Sequence, residues 1–207
     1  DQRYASTSPV AKKGDGPDAD SLELHQAVVA VGNHKEFPVS LKLGRMEMSY
    51  GDERLIGAFA WNNIGRTFDG MKLRWQNAWF GADLFATHPV IPQNGVFDVP
   101  NDEDFFSGLY ATTLRIPKNI LDVYFLARNS SAEAAAMVPS PQFPQPSERD
   151  VYTVGFRLKS KPGELGGWDY TLESAYQFGN FVDQRSGANT PTQRLDQSAY
   201  MVAALGG

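Results

Sequence analysis

An all-β fold of antiparallel strands is what this sequence predicts, on three observations. Apolar and polar residues alternate with a period of two, and the three-to-four spacing of a helix is almost absent. Aromatic residues make up 12% of the chain, and 19 Gly and 13 Pro interrupt it; aromatics favour strands and membrane interfaces, whereas Gly and Pro favour turns. Several alternating stretches reach about nine residues or more, against roughly 5–6 for an average strand and about 9–11 for one that crosses a membrane.

Residues 1–20, DQRYASTSPVAKKGDGPDAD, carry charge, Gly, Pro and Ser without periodicity and read as a loop or disordered lead-in. About nine strands follow, near 22–31, 38–49, 67–76, 78–87, 104–116, 120–129, 150–160, 167–178 and 197–205. The helix-like exception is Ser131–Met137, SAEAAAM. It lies in the segment 130–149, where Pro139, Pro141, Pro144 and Pro146 exclude a strand and predict a long exposed loop.

Within the strands the two faces differ in kind. Lys72, Arg74 and Gln76 oppose Met71, Leu73 and Trp75. Thr153, Arg157 and Lys159 oppose Tyr152, Val154, Phe156 and Leu158. Asp169, Thr171, Glu173 and Gln177 oppose Trp168, Tyr170, Leu172 and Tyr176. Such strands fit a wall between a watery lumen and lipid, and equally a sandwich with one face in water.

Composition narrows the classes further. No run of 18 apolar residues occurs, which excludes a spanning helix. A mean hydropathy of −0.38 does not exclude a spanning sheet, because alternation keeps the average low. The absence of Cys suits an exported protein and removes thiolate metal sites and Cys nucleophiles. A net charge of −5 argues against a nucleic-acid partner. Asp1 follows no apolar signal segment, so the expectation is a removed signal or an internal start.

His25, His34 and His88 stand on separate segments without ligand spacing, and the phosphate-loop, dinucleotide and nucleophile-elbow motifs are missing. No carboxylate pair stands out as a glycosidase dyad. The acidic clusters Asp15–Asp20 and Asp98, Asp102, Glu103 and Asp104 lack EF-hand spacing and read as solvated loop charge. No cofactor, no metal and no catalysis are expected.

Leu41–Trp75, LKLGRMEMSYGDERLIGAFAWNNIGRTFDGMKLRW, resembles the signature block of the alginate-export porins, through LGRMEMSYG, the loop GDERLIGAF with its following Trp, and GRTFDGMKLRW. Asp122–Arg128 (DVYFLAR), Asp150–Leu158 (DVYTVGFRL) and Asp169–Gly179 (DYTLESAYQFG) follow in order, so the likeness covers about residues 20 to 205. The resemblance decides for the barrel. It implies a large antiparallel barrel in a Gram-negative outer membrane, with an arginine-lined lumen that passes an anionic polysaccharide or smaller anions. The implied partners are outer-membrane lipid, that anionic solute and periplasmic export-machinery proteins. The predicted strands would make about half of such a barrel, and YMVAALGG lacks the terminal aromatic that closes many of them. The expectation is therefore an internal fragment with two unpaired edges.

The site residues follow from the faces. Lys72, Arg74, Arg115, Arg128 and Arg157 form the candidate cationic conduit, with interface snorkelling as the alternative for some of them. Asp83, Asp169 and Glu173 would hold those cations apart. Arg45 and Glu47 share one face of the second strand, as pore lining or as a structural ion pair. Asp52, Glu53 and Arg54 are too charged for a lipid face and either fold inward as a constriction or form a turn. Asn62, Asn63, Arg66 and Asp69 flank that loop and are expected to hold it. Two other classes remain open: a secreted or periplasmic all-β module that binds acidic glycans, and a β-rich polysaccharide lyase or hydrolase.

Overall fold

The computed structural model of the chain describes residues 24–32, 36–59, 65–92, 97–138, 147–183 and 193–207. The lead-in 1–20, His34, Asn62, Asn63 and the four prolines of the long loop lie outside them.

The described residues form one sheet of ten strands: β1 Ala27–Val31, β2 Val39–Met46, β3 Phe68–Gln76, β4 Phe80–Ile91, β5 Val99–Pro100, β6 Asp104–Thr113, β7 Asn119–Ser130, β8 Arg149–Ser160, β9 Tyr170–Asp183 and β10 Gln193–Gly206. Every pairing is antiparallel and joins chain neighbours, except that β4 pairs both with the two-residue β5 and with β6. The all-β expectation is met. Among the described residues β1 and β10 do not pair, so the sheet is open. Ala132–Ala135 forms a turn of 3-10 helix, capped by Ser131, inside the expected helix-like stretch.

Strand length is set by what each end must do. β3 has nine residues, while β9 and β10 have 14; at about 3.3 Å per residue these span roughly 30 to 46 Å. Connections at 77–79, 114–118 and 161–169, none longer than nine residues, lie at one end of the sheet, and the longer ones at 47–67, 92–103 and 131–148 at the other. β2 stops at Met46, short of the expected 49, because the chain leaves the sheet there. β9 begins at Tyr170, with Asp169 held by backbone bonds to Gly207 in both directions (2.8 and 3.1 Å).

The register converts alternation into two surfaces. One cross-strand row runs Leu73, Leu84, Leu109, Phe125, Val154, Tyr176, Tyr200. All seven are exposed, a contiguous apolar band of a kind soluble monomers rarely carry. The next row on the opposite face runs Arg74, Asp83, Tyr110, Tyr124, Gly155, Ala175, Met201, and most of it is buried. The sheet is therefore inverted relative to a soluble one, apolar outside and polar or aromatic within.

Gly155 shows how tightly the inner row is fitted. It faces Tyr124 directly, and a Cβ there would stand 2.5 Å from the Tyr124 ring. Gly155→Val is expected to destabilise the sheet by about 1–3 kcal/mol by overpacking, read as a lowered urea midpoint in detergent micelles.

Candidate functional site: an inward segment on the polar face

After Met46 the chain does not continue to a hairpin at the rim. Residues 47–59 turn inward and lie along the inner face. The turn is closed by Glu53 N–H donating to the Tyr50 carbonyl (3.0 Å) and Tyr50 N–H to the Ile56 carbonyl (3.1 Å). Its tip needs Gly51, whose φ is 61°, in a space where a Cβ would meet the Arg157 guanidinium and the Tyr110 hydroxyl at 3.1 Å. The limb returns through Ala58, whose carbonyl accepts from Arg66 N–H (2.8 Å).

Apolar contact holds the limbs. Met46, Met48 and Ile56 pack among Phe68, Phe85, Tyr110, Tyr124, Leu126 and Ala175, and Met48 and Phe85 are each 1% exposed. Burial of a side chain of that size contributes about 1.5–3 kcal/mol. The Tyr50 ring stacks on Tyr110 at 4.5 Å and on Phe85 at 5.9 Å, and Tyr110 stacks on Tyr124 at 5.5 Å. The inner face thus carries an aromatic patch, which a watery lumen alone does not predict.

The tip is held by charge. Asp52 meets Arg157 at 2.9 Å, Arg54 at 3.0 Å and Lys159 at 3.3 Å. Arg54 reaches on to Glu173 at 2.8 Å, and Glu173 also accepts from the Tyr124 hydroxyl at 3.1 Å. Arg157 is shared with Asp122 at 2.7 Å. Higher on the same face Asp83 takes Arg74 at 2.9 Å and the Tyr50 hydroxyl at 3.0 Å. Burial opposes ionisation of Asp52, but hydrogen bonds from Arg54 and Lys159 and the charge of Arg157 outweigh it and hold its carboxyl below the ordinary value. Burial, then the Asp83 charge and hydrogen bond, push the Tyr50 phenol up, so it remains a donor.

The neck of the segment has its own clamps. Arg45 makes a forked pair with Asp69 (2.8 and 2.7 Å) and donates to the carbonyls of Leu24 and Asp98. His25 stands 2.6 Å from Glu47. Strict alternation puts Arg45 and Asp69 on the side of Leu43 and Met71, while Met46 and Met48 turn to the inner face. The reason is the aromatic patch, which takes the methionines as its apolar partners.

The remaining sequence-derived residues are dispersed. Lys72 lies over the Tyr50 ring at 5.8 Å, and Arg66 over the Phe59 ring at 5.8 Å. Arg128 pairs with Asp104 at 2.5 Å near the end of the long connections. Arg115 stands beyond the end of β6 in an exposed turn, and Asp169 is exposed beside the terminal Gly207. Glu53 is exposed at the tip with φ 57°. His88 Nδ1 lies 3.1 Å from the carbonyls of Asn101 and Asp104. Among the described residues no group of three or more His, Asp or Glu could hold a metal ion.

Sequence reasoning missed Asp104 as a partner, Asp122, Tyr50, Tyr110, Tyr124 and Arg149. Asp122 had a usable signal, since it shares the parity of Arg128 six residues on.

An antiparallel sheet with an apolar outer band, a charged inner face and an inward-folded connection defines the wall of a transmembrane β-barrel. The chain belongs to the alginate-export family: the family model described as "Alginate export" matches residues 1–205. No curated protein matches it. This is a family of outer-membrane transport barrels.

The held-down carboxyl of Asp52 gives a sign to pH. The folded segment binds fewer protons than a released one. Its stabilisation is full above the ordinary aspartate range and fades as pH falls through about 4 and below. The protection factors of the Tyr50–Ile56 amides, taken against the intrinsic exchange rate at each pH, are expected to fall on that descent. Asp52→Asn should show about three- to tenfold faster exchange already at neutral pH, because charge-assisted bonds become neutral ones.

Proposed function

We propose that this chain builds part of a passive outer-membrane channel for an alginate-like anionic polysaccharide or smaller anions, with residues 47–59 as its constriction. The observation that supports this is the lie of that segment along the face that an anion would follow. Solute passes beside it or displaces it.

On the strands of that face Lys42, Lys72, Arg74, Arg128, Arg149, Arg157 and Lys159 outnumber Asp83, Asp104, Asp122, Glu173 and Asp183. The surplus favours anions, and the carboxylates keep the guanidinium groups from binding a passing carboxylate too tightly. Conduction needs both, since a solute held too firmly does not leave. The arginines near the tip are paired rather than bare. Selectivity then comes from a net surplus in a low-dielectric passage, not from an unscreened cationic ring.

Planar-bilayer recording tests this. The protein is expected to form anion-selective pores, shown by reversal potentials in a salt gradient. The double variant Asp52→Asn, Arg54→Gln, which loosens the tip without removing its apolar anchor, is expected to raise single-channel conductance. A protein that stays soluble without detergent and forms no pore would overturn the channel. Pores whose conductance ignores the double variant would overturn the constriction.

A further inference from the structure

The end of the sheet that carries connections 77–79, 114–118 and 161–169 gathers cations outside the ion-pair network. Arg115 and Lys118 are exposed on the second of these connections, and the half-buried Lys161 opens the third. The two connections touch, because Lys161 N–H donates to the Lys118 carbonyl at 2.8 Å. The Lys161 Nζ reaches back to the carbonyls of Leu114 at 2.9 Å and Ile116 at 3.5 Å. Leu114 N–H in turn donates to the Trp79 carbonyl at 2.8 Å and so brings in the first connection.

These cations differ from those of the inner face. There Arg54, Arg74, Arg128 and Arg157 each have a carboxylate within 3.0 Å. Among the described residues none of Arg115, Lys118 and Lys161 has one within ion-pair distance. Glu164 and Asp169 are exposed on the same connection as Lys161 and form no pair with it. Like charges gathered without a counter-ion repel, and an anion brought among them relieves that.

Lys118 carries a second mark. Its φ is 62°, in the left-handed region where Gly or Asn is the ordinary residue. The turn is closed around it by Asn119, whose backbone N–H donates to the Ile116 carbonyl (3.1 Å) and whose side chain donates to the Pro117 carbonyl (2.9 Å). A lysine fits this corner worse than a glycine, so its charge is the property that suits it to the place.

The aromatic residues set the level of this rim in the bilayer. Trp75, Trp79 and Trp168 all stand at this end and are exposed, with Phe80 and Leu114 beside them. Tryptophan concentrates where hydrocarbon gives way to headgroups. In outer-membrane barrels the shorter turns face the periplasm, so the leaflet at this rim is the inner one. Arg115 has the parity of the outer-face Leu109, which puts it on the lipid side of the wall.

We propose that this rim binds the phosphate headgroup of an anionic phospholipid of the periplasmic leaflet. Arg115 and Lys118 meet the phosphate, Lys161 joins the two connections and adds its charge, and Trp79 and Leu114 receive the start of an acyl chain. The site lies at the opposite end of the sheet from the long connections and does not depend on which solute the channel passes.

Quenching of tryptophan fluorescence by brominated lipids tests it, because the exposed tryptophans at this end report the lipid beside them. The intact protein is reconstituted in phosphatidylcholine vesicles with a minor share of brominated phosphatidylglycerol or, separately, of brominated phosphatidylcholine. Phosphatidylglycerol is expected to be enriched at the rim about tenfold or more. Arg115→Gln and Lys118→Gly are each expected to cut that enrichment about fivefold, the value of one cation near an anionic lipid surface. Lys118→Gly also relieves the positive φ, so the loss arises in a protein that folds at least as well. Arg115→Lys should keep most of the enrichment.

Equal quenching by the two lipids, or an enrichment that both charge-removing variants leave unchanged, overturns the site alone. Loss of the enrichment on adding sodium phosphate at constant ionic strength assigns the cations to soluble phosphate and overturns the lipid. Absence of quenching by either brominated lipid places this end outside a bilayer and removes the channel together with the site.

Discussion

Three cations converge on the carboxylate of Asp52, and the path of the chain between β2 and β3 depends on that convergence. Arg157 and Lys159 belong to β8, while Arg54 lies on the segment itself and reaches Glu173 on β9. The tip of one connection is thereby tied to strands more than a hundred residues along the chain. Without Asp52, Lys159 would lose its one ion-pair partner among the described residues and Arg157 would keep Asp122 alone. With it, Arg157 stands between two carboxylates and no buried side-chain nitrogen or oxygen among the described residues lacks a partner.

Charge alone would not fold the segment. Desolvation makes the net gain from such pairs small, whereas breaking one is costly. The stacked rings of Tyr50, Tyr110 and Tyr124 and the packing of Met48 and Ile56 supply the non-directional stabilisation, and the ion pairs fix the register. This division explains the inner face. An aromatic patch at mid-height receives the limbs, and charges below it receive the tip.

Much of this was legible in the sequence because alternation is a physical requirement of a sheet between unlike media. Met71, Leu73 and Trp75 were assigned to one face and Lys72 and Arg74 to the other, and the register places them so. β8 and β9 read equally well, since a one-residue error would have put Phe156 among the charges. What alternation could not give was where a strand stops. Asp169 continues the pattern in sequence but lies before β9, and Arg115 lies past the end of β6 with the parity of the outer-face Leu109. Nor could it show that Met46 and Met48, rather than Arg45 and Glu47, turn inward, because that depends on aromatic partners brought in from β4, β6 and β7. The charged tip Asp52-Glu53-Arg54 was singled out, while the hydrophobic limbs that carry it were not.

Carbodiimide cross-linking tests the placement of the inward segment most directly, because the reagent joins a carboxylate to a lysine only when the two are in contact. Applied to the protein in outer-membrane vesicles and read by mass spectrometry of its peptides, it is expected to give an Asp52–Lys159 isopeptide link, as their 3.3 Å separation requires. The link should vanish in Asp52→Asn. A protein in which Lys159 remains unlinked to Asp52 while other salt-bridged pairs are captured would contradict an inward-folded constriction.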